Sequence, residues 1–180
     1  MRRLITLMLA AAVLAGCSFS TSTFSTSSGD SPTIDRDMVE AWISEEMTKQ
    51  RPNLPMNSVT CPDGMKPVQG ATLECTVHVD GAQWPVRMTI TNVDLGTGSV
   101  RYQIKATKAL LIPEGIIKAI KAELRDQGFP NAKVDCGTER YRVVEFGDAI
   151  ECIVSAGGER RVVRAVSDAG GGDGVHFEDG

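Results

Sequence analysis

The chain is poor in the residues that several functional classes depend on. Aromatic residues make up 5% of it and there is no basic run, so it lacks both the stacking platforms and the cationic surface that nucleic-acid binding uses. With only two histidines and no close C-x-x-C pair, it offers little to a metal ion. No apolar stretch reaches the roughly 20 residues that a membrane-spanning helix needs. These scarcities exclude no fold, but they turn attention from catalysis and metal chemistry to export, covalent cross-links and shape.

The N-terminus is the most specific stretch. Arg2 and Arg3 precede an apolar run from Leu4 to Val13, and Leu14-Ala15-Gly16-Cys17 closes it. That is the order of an export signal. Without the flanking polar and aromatic pattern of twin-arginine export, Arg2 and Arg3 read as an ordinary charged n-region. The last four residues resemble a bacterial lipobox, in which the cysteine is joined to diacylglycerol and the chain is cut just before it. The expectation is cleavage between Gly16 and Cys17 and lipidation of Cys17. One acyl chain holds only marginally, each buried CH₂ contributing ~0.8 kcal/mol, so two or three would make the anchor stable. The protein is thus expected at the cell membrane, held by lipid on the extracytoplasmic side.

Without Arg2 and Arg3, 17 basic residues face 23 acidic ones, a net charge of −6. This argues against anionic headgroups and nucleic acid as partners. Residues 17–32, after the cysteine, are mostly Ser and Thr; they are expected to be a tether, because they bury too little to offset the entropy of ordering. As a coil it would span ~20 Å, and stretched ~50 Å. Its hydroxyls are either bare or, as in Ser/Thr-rich stalks, sugar-bearing.

From Thr33 onward one pattern is written twice. Asp35 to Gln50 carries Val39, Ile43 and Met47 at helical spacing with Trp42 beside them, and Pro113 to Gln127 carries Ile116, Ile120 and Leu124. Both read as amphipathic helices, with Trp42 in the core rather than a binding anchor. A short strand ending in cysteine follows each helix, at Ser58–Cys61 and Lys133–Cys136. A glycine loop, a strand with the second cysteine, a tight turn at Asp80-Gly81 or Gly157-Gly158, and a third strand then complete the shared order. The alternation marks half-buried strands. Pro85, unable to donate to a ladder, suggests an edge or a bulge. Fourth strands are expected at Ser99–Lys105 and Val175–Glu178. Cys75 to Cys152, Gly70 to Gly147 and Ile43 to Ile120 are each 77 positions apart, and Cys61 to Cys136 is 75. Spacing this regular reads as an internal repeat.

Four cysteines remain once Cys17 is set aside, and four allow three pairings. The repeat selects Cys61 with Cys75 and Cys136 with Cys152. Each bridge would stabilise its half by about 3 kcal/mol in the chain-entropy estimate. The expected fold class is α+β: two similar modules, residues 33–106 and 107–180, each with one helix on a four-stranded antiparallel sheet and one internal disulfide.

The order helix, Cys61-Pro62, Gly70, Cys75, Val79-Asp80-Gly81 and Val86, behind a lipobox, resembles the domain of unknown function 4333 of actinobacterial secreted lipoproteins, here in tandem. In the second copy Gly137 replaces the proline and Ala156-Gly157-Gly158 replaces the turn. The resemblance implies no activity. In outline the architecture is also similar to secreted beta-lactamase inhibitor proteins, a likeness of shape alone.

No catalytic residue, cofactor or metal site is expected. His78 and His176 read as surface histidines, and Glu45-Glu46 as a solvated helix face. Asp168 to Gly174 reads as a loop in preference to a calcium turn. The leading expectation is a non-catalytic interaction module with an envelope or extracellular protein as partner. The alternative is a carrier or sensor of an apolar envelope ligand held between the modules, for which a cavity of ~300 Å³ or more would speak.

Overall fold

The computed structural model describes residues 20–23, 33–168 and 174–180. The export signal, Gly16, Cys17 and, of the Asp168–Gly174 stretch, residues 169–173 lie outside the described residues.

The chain order is β1 (Ser20–Thr23), α1 (Arg36–Gln50), β2 (Met56–Thr60), β3 (Thr72–Val79), β4 (Ala82–Asp94), β5 (Ser99–Ala106), β6 (Ala109–Leu111), α2 (Pro113–Asp126), β7 (Lys133–Asp135), β8 (Arg142–Val144), β9 (Ala149–Ala156), β10 (Glu159–Ser167) and β11 (Val175–Asp179). Two antiparallel sheets form, ordered β1-β5-β4-β3-β2 and β11-β10-β9-β7, and β6 pairs with β8 in a separate two-stranded ribbon. The molecule is a mixed helix and antiparallel-sheet protein with two disulfides.

In the N-terminal half, α1 lays Val39, Trp42, Ile43 and Met47 on the inner face of the first sheet. Val77, Trp84, Val86, Met88 and Ile90 meet them from β3 and β4, alternating with residues that face outward, as the two-residue period of a strand requires. In the C-terminal half, α2 buries Ile116, Ile120 and Leu124 against Ile150, Val154, Val163 and Ala165. Pro113 occupies the first turn of α2, where its missing N–H breaks no helical bond.

The halves share their strand register. Val77 faces Trp84 and Cys75 faces Val86 in the first sheet; Val154 faces Arg161 and Cys152 faces Val163 in the second, each 77 positions on. The N–H of Gly70 donates to Ile90 and that of Ile90 to Ala71; Gly147, Ser167 and Asp148 repeat both bonds at the same offset. Gly70 and Gly147 take φ of 84° and 88°, a conformation open to glycine at little cost. The Asp80-Gly81 and Gly157-Gly158 turns all have positive φ, as a tight hairpin needs.

Three strands depart from the sequence expectation. Ser20–Thr23, assigned above to the tether, pairs along β5 from Ser20 opposite Tyr102 to Thr23 opposite Ser99, so the first sheet has five strands and not four. The physical reason is the free edge of β5, whose backbone groups accept any extended segment within reach. The ribbon of β6 and β8 was also not anticipated. It elongates a contact that exists in the first half as the single bridge of Ile34 with Met65: Leu111 faces Arg142 at the equivalent places, and Ala109 with Val144 continues the ladder.

Pro85 lies inside β4, between β3 and β5, not at an edge, and the irregularity of β4 falls at Ile90/Asn92. Its carbonyl accepts from the N–H of Thr107, one residue past β5. The missing N–H of Pro85 therefore falls at the frayed end of the β4–β5 ladder, where it costs no strand pairing.

Candidate functional site

The cysteines pair as the repeat predicts. Cys61 joins Cys75 with Cα atoms 4.4 Å apart, and Cys136 joins Cys152 at 4.1 Å. All four are buried, which makes them cross-links inside each half and poor redox centres. The N–H of Cys61 also donates to Glu40 Oε1 at 2.8 Å, tying the bridge to α1.

The two histidines do not converge. His78 Nε2 lies 3.2 Å from the Thr60 hydroxyl on the outer face of the first sheet, while His176 sits between Asp168 at 3.2 Å and Glu178 at 3.4 Å in the second half. Among the described residues no group of three or more His, Cys, Asp or Glu is arranged to hold a metal ion. Glu45 is solvated and pairs with Lys49 at 2.7 Å. Glu46 corrects the expectation: it is 5% exposed, on the same stripe as Ile43, and accepts from Gln50 Nε2 at 3.0 Å. Glu123 and Gln127 form the same pair at 2.8 Å in α2. Trp42 is a core residue, its ring stacked on Tyr102 at 5.2 Å and 8°.

Two concavities stand out. The larger, about 690 Å³, lies between the halves, with Asp80, Gln83, Glu139, Arg140 and Arg142 among its lining. Arg140 reaches across to Asp80 at 2.5 Å and its guanidinium lies 6.0 Å from the Tyr141 ring. Tyr141 and Val143 pack on the first core, and Lys108 pairs with Glu145 at 2.5 Å. The volume would admit a ligand, but the lining is mixed: Tyr141, Val143, Val144 and Ile150 are interleaved with Asp80, Glu139, Arg140 and Arg142, so a wholly apolar ligand would meet charged groups that it cannot satisfy.

The smaller pocket, about 240 Å³, opens between the last turns of α2 and the strands β10 and β11. Ile120, Leu124, Val163 and Phe177 make its floor; Glu123, Arg161, Glu178 and Asp179 stand at its rim. In the first half the equivalent space is filled. Trp84 occupies the position of Arg161, 3% exposed, and its Nε1 donates to the Lys108 carbonyl at 2.8 Å. The Arg51 guanidinium lies 4.8 Å from the ring centroid, and burial holds it below its ordinary pKa. The sequence reading passed over this pocket, although setting Trp84 beside Arg161 at the 77-residue offset would have signalled it.

The outer face of the first sheet is polar. Glu74 and Arg87 pair across β3 and β4 at 2.5 Å, and Arg101 and Lys105 stand exposed on β5. No helix of the described residues is long and apolar enough to cross a membrane.

Fold and cross-links together define a small disulfide-stabilised α+β protein whose halves each set one helix against one face of an antiparallel sheet. Residues 12–94 match the family described as domain of unknown function (DUF4333). The matched stretch takes in Leu14-Ala15-Gly16-Cys17 and ends with β4. Neither a curated protein nor a solved structure matches the chain.

Proposed function

We propose that this is an exported lipoprotein, anchored through lipid on Cys17, whose two halves are tandem copies of one DUF4333-type unit acting as a non-catalytic interaction module for an envelope or extracellular protein. The observation that carries the reading is the polar outer face of the first sheet, where Glu74, Arg87, Arg101 and Lys105 stand opposite the helix-covered face. A face rich in charge and backed by a rigid, disulfide-tied core suits specific docking on another protein, since charged groups select partners more than they add affinity. The placement of the family match over the lipobox-like residues supports the anchor. The shared register and the hydrogen bonds recurring 77 positions apart support the tandem copies. The reading as a carrier of an apolar ligand is weaker, because the groove between the halves sets Asp80, Glu139, Arg140 and Arg142 among its apolar lining residues.

In-cell crosslinking followed by mass spectrometry of recovered proteins and lipids tests the reading. A single saturable protein partner is expected. Recovery of a defined lipid with no protein would move the carrier to the front. Cys17→Ala is expected to leave an unlipidated precursor, and mature acylated protein in that variant would refute the anchor.

A further inference from the structure

The pocket between α2 and β10–β11 has an internal template. In the N-terminal half the same space, bounded by α1, β4 and β5, holds an indole ring with a guanidinium 4.8 Å from its centroid. That ring belongs to Trp84, and its N–H is satisfied by a backbone carbonyl, Lys108 O. In the C-terminal half the strand residue is Arg161, which is exposed, and about 240 Å³ between Leu124, Val163 and Phe177 is unfilled. The floor kept its apolar character: Leu124 stands where Met47 does, and Val163 where Val86 does.

The rim adds a charge preference. Three carboxylates, Glu123, Glu178 and Asp179, line the opening against the single guanidinium of Arg161. Gln127 already donates to Glu123, and Arg164 lies 3.3 Å from Glu178, but the opening remains net acidic. An apolar floor under an acidic rim is complementary to a ring that carries a cation beside it.

We infer that this groove receives an aromatic side chain flanked by a basic one from a partner protein, in the place that Trp84 and Arg51 fill within the N-terminal half. This rests on the reading of the chain as an interaction module and names the surface and the partner's chemistry. Burying one such ring in an otherwise formed pocket is the arrangement of an interface anchor, where Trp and Arg dominate.

The test uses the full chain in lipid nanodiscs, with NMR of the Ile120, Leu124 and Val163 methyl groups and N-acetyl-Trp-Arg-amide as the probe. Saturable shifts confined to these methyls are expected, with tryptamine preferred over indole-3-acetate by about tenfold. Arg161→Trp places the template's own ring in the groove and should weaken the probe by about tenfold or more. Should that variant fail to fold, Glu123→Gln with Asp179→Asn removes rim charge without touching the floor and should abolish the preference for tryptamine. No shift at these methyls, or indole-3-acetate binding as tightly as tryptamine, would overturn the proposal. In cells, loss of the crosslinked partner from Arg161→Trp supports it. A partner recovered equally from the variant and the wild type overturns the groove and leaves the interaction reading standing.

Discussion

The two halves have the same register, the same turns and the same disulfide, yet they solve the core differently. The N-terminal half is packed with large rings: Trp42 stacks on Tyr102, and Trp84 closes the far end of the groove. At the matching places the C-terminal half has Ala119, Val175 and Arg161. It also replaces Ile90 with Ser167, a buried hydroxyl that is 1% exposed. The lesson is that backbone hydrogen bonding and one covalent tie can hold a framework constant while side-chain volume is removed from it. Less apolar area is then buried per half, and the cross-link carries a larger share of a marginal stability.

Exchanging features between the halves sharpens that contrast. Trp42→Ala gives the first half the alanine that the second half carries at 119. It should cost about 3–5 kcal/mol, as large aromatic truncations in cores do, and thermal unfolding of the variant would read it. A loss below about 1 kcal/mol would mean that the Trp42–Tyr102 stack matters little and that the halves are energetically alike.

Replacing Cys136 and Cys152 with alanine should cost about 3 kcal/mol, close to the loss from replacing Cys61 and Cys75, because the closed loops are of similar length. The consequence should differ. Hydrogen exchange is expected to show the second half opening locally, while the first half stays protected without its bridge. Equal protection in both variants would break the comparison.

Ser167→Ala is expected to cost about 1–2 kcal/mol. Its hydroxyl accepts from the Gly147 N–H at 3.0 Å and lies within hydrogen-bond distance of the Glu145 and Asp148 carbonyls, so it secures a loop that Ile90 leaves to backbone bonds. Denaturant unfolding of the variant measures this directly.

The smallest effect concerns the β4–β5 loop. The Thr97 hydroxyl, with the N–H groups of Thr97 and Gly96, holds the Asp94 carboxyl below its ordinary value. These bonds stabilise the loop fully above the ordinary carboxylate range, and their contribution is lost as pH falls through the lower folded value. Thr97→Ala should move the titration of Asp94 upward, followed by its carboxyl chemical shift; an unmoved titration would show that the backbone bonds suffice.

Much of the framework was legible in the sequence, for reasons that are local or covalent. Apolar residues every three or four positions from Val39 to Met47 require a helix wherever one face is dry, and strict alternation through Cys75, Val77 and Val79 requires a half-buried strand. Asp80-Gly81 closes a hairpin because few other pairs accept its dihedrals. The disulfide pairing followed because a 77-residue period leaves one symmetric choice among three.

What only the tertiary structure decided depended on partners distant in the chain. Ser20–Thr23 becomes a strand because β5, about eighty residues later, offers an unpaired edge. Glu46 is buried and Glu45 is not because the helix is rotated to its sheet, and one position is about 100° of that rotation. The ribbon of β6 and β8 and the Arg140–Asp80 contact arise where one half meets the other. The groove beside Arg161 exists because a charged strand residue stands where the other half has the ring of Trp84, and Leu124 on the helix, Val163 and Phe177, distant in the chain, bound the volume left unfilled. Periodicity dictates which face of an element is apolar; only packing decides whether that face is covered from within.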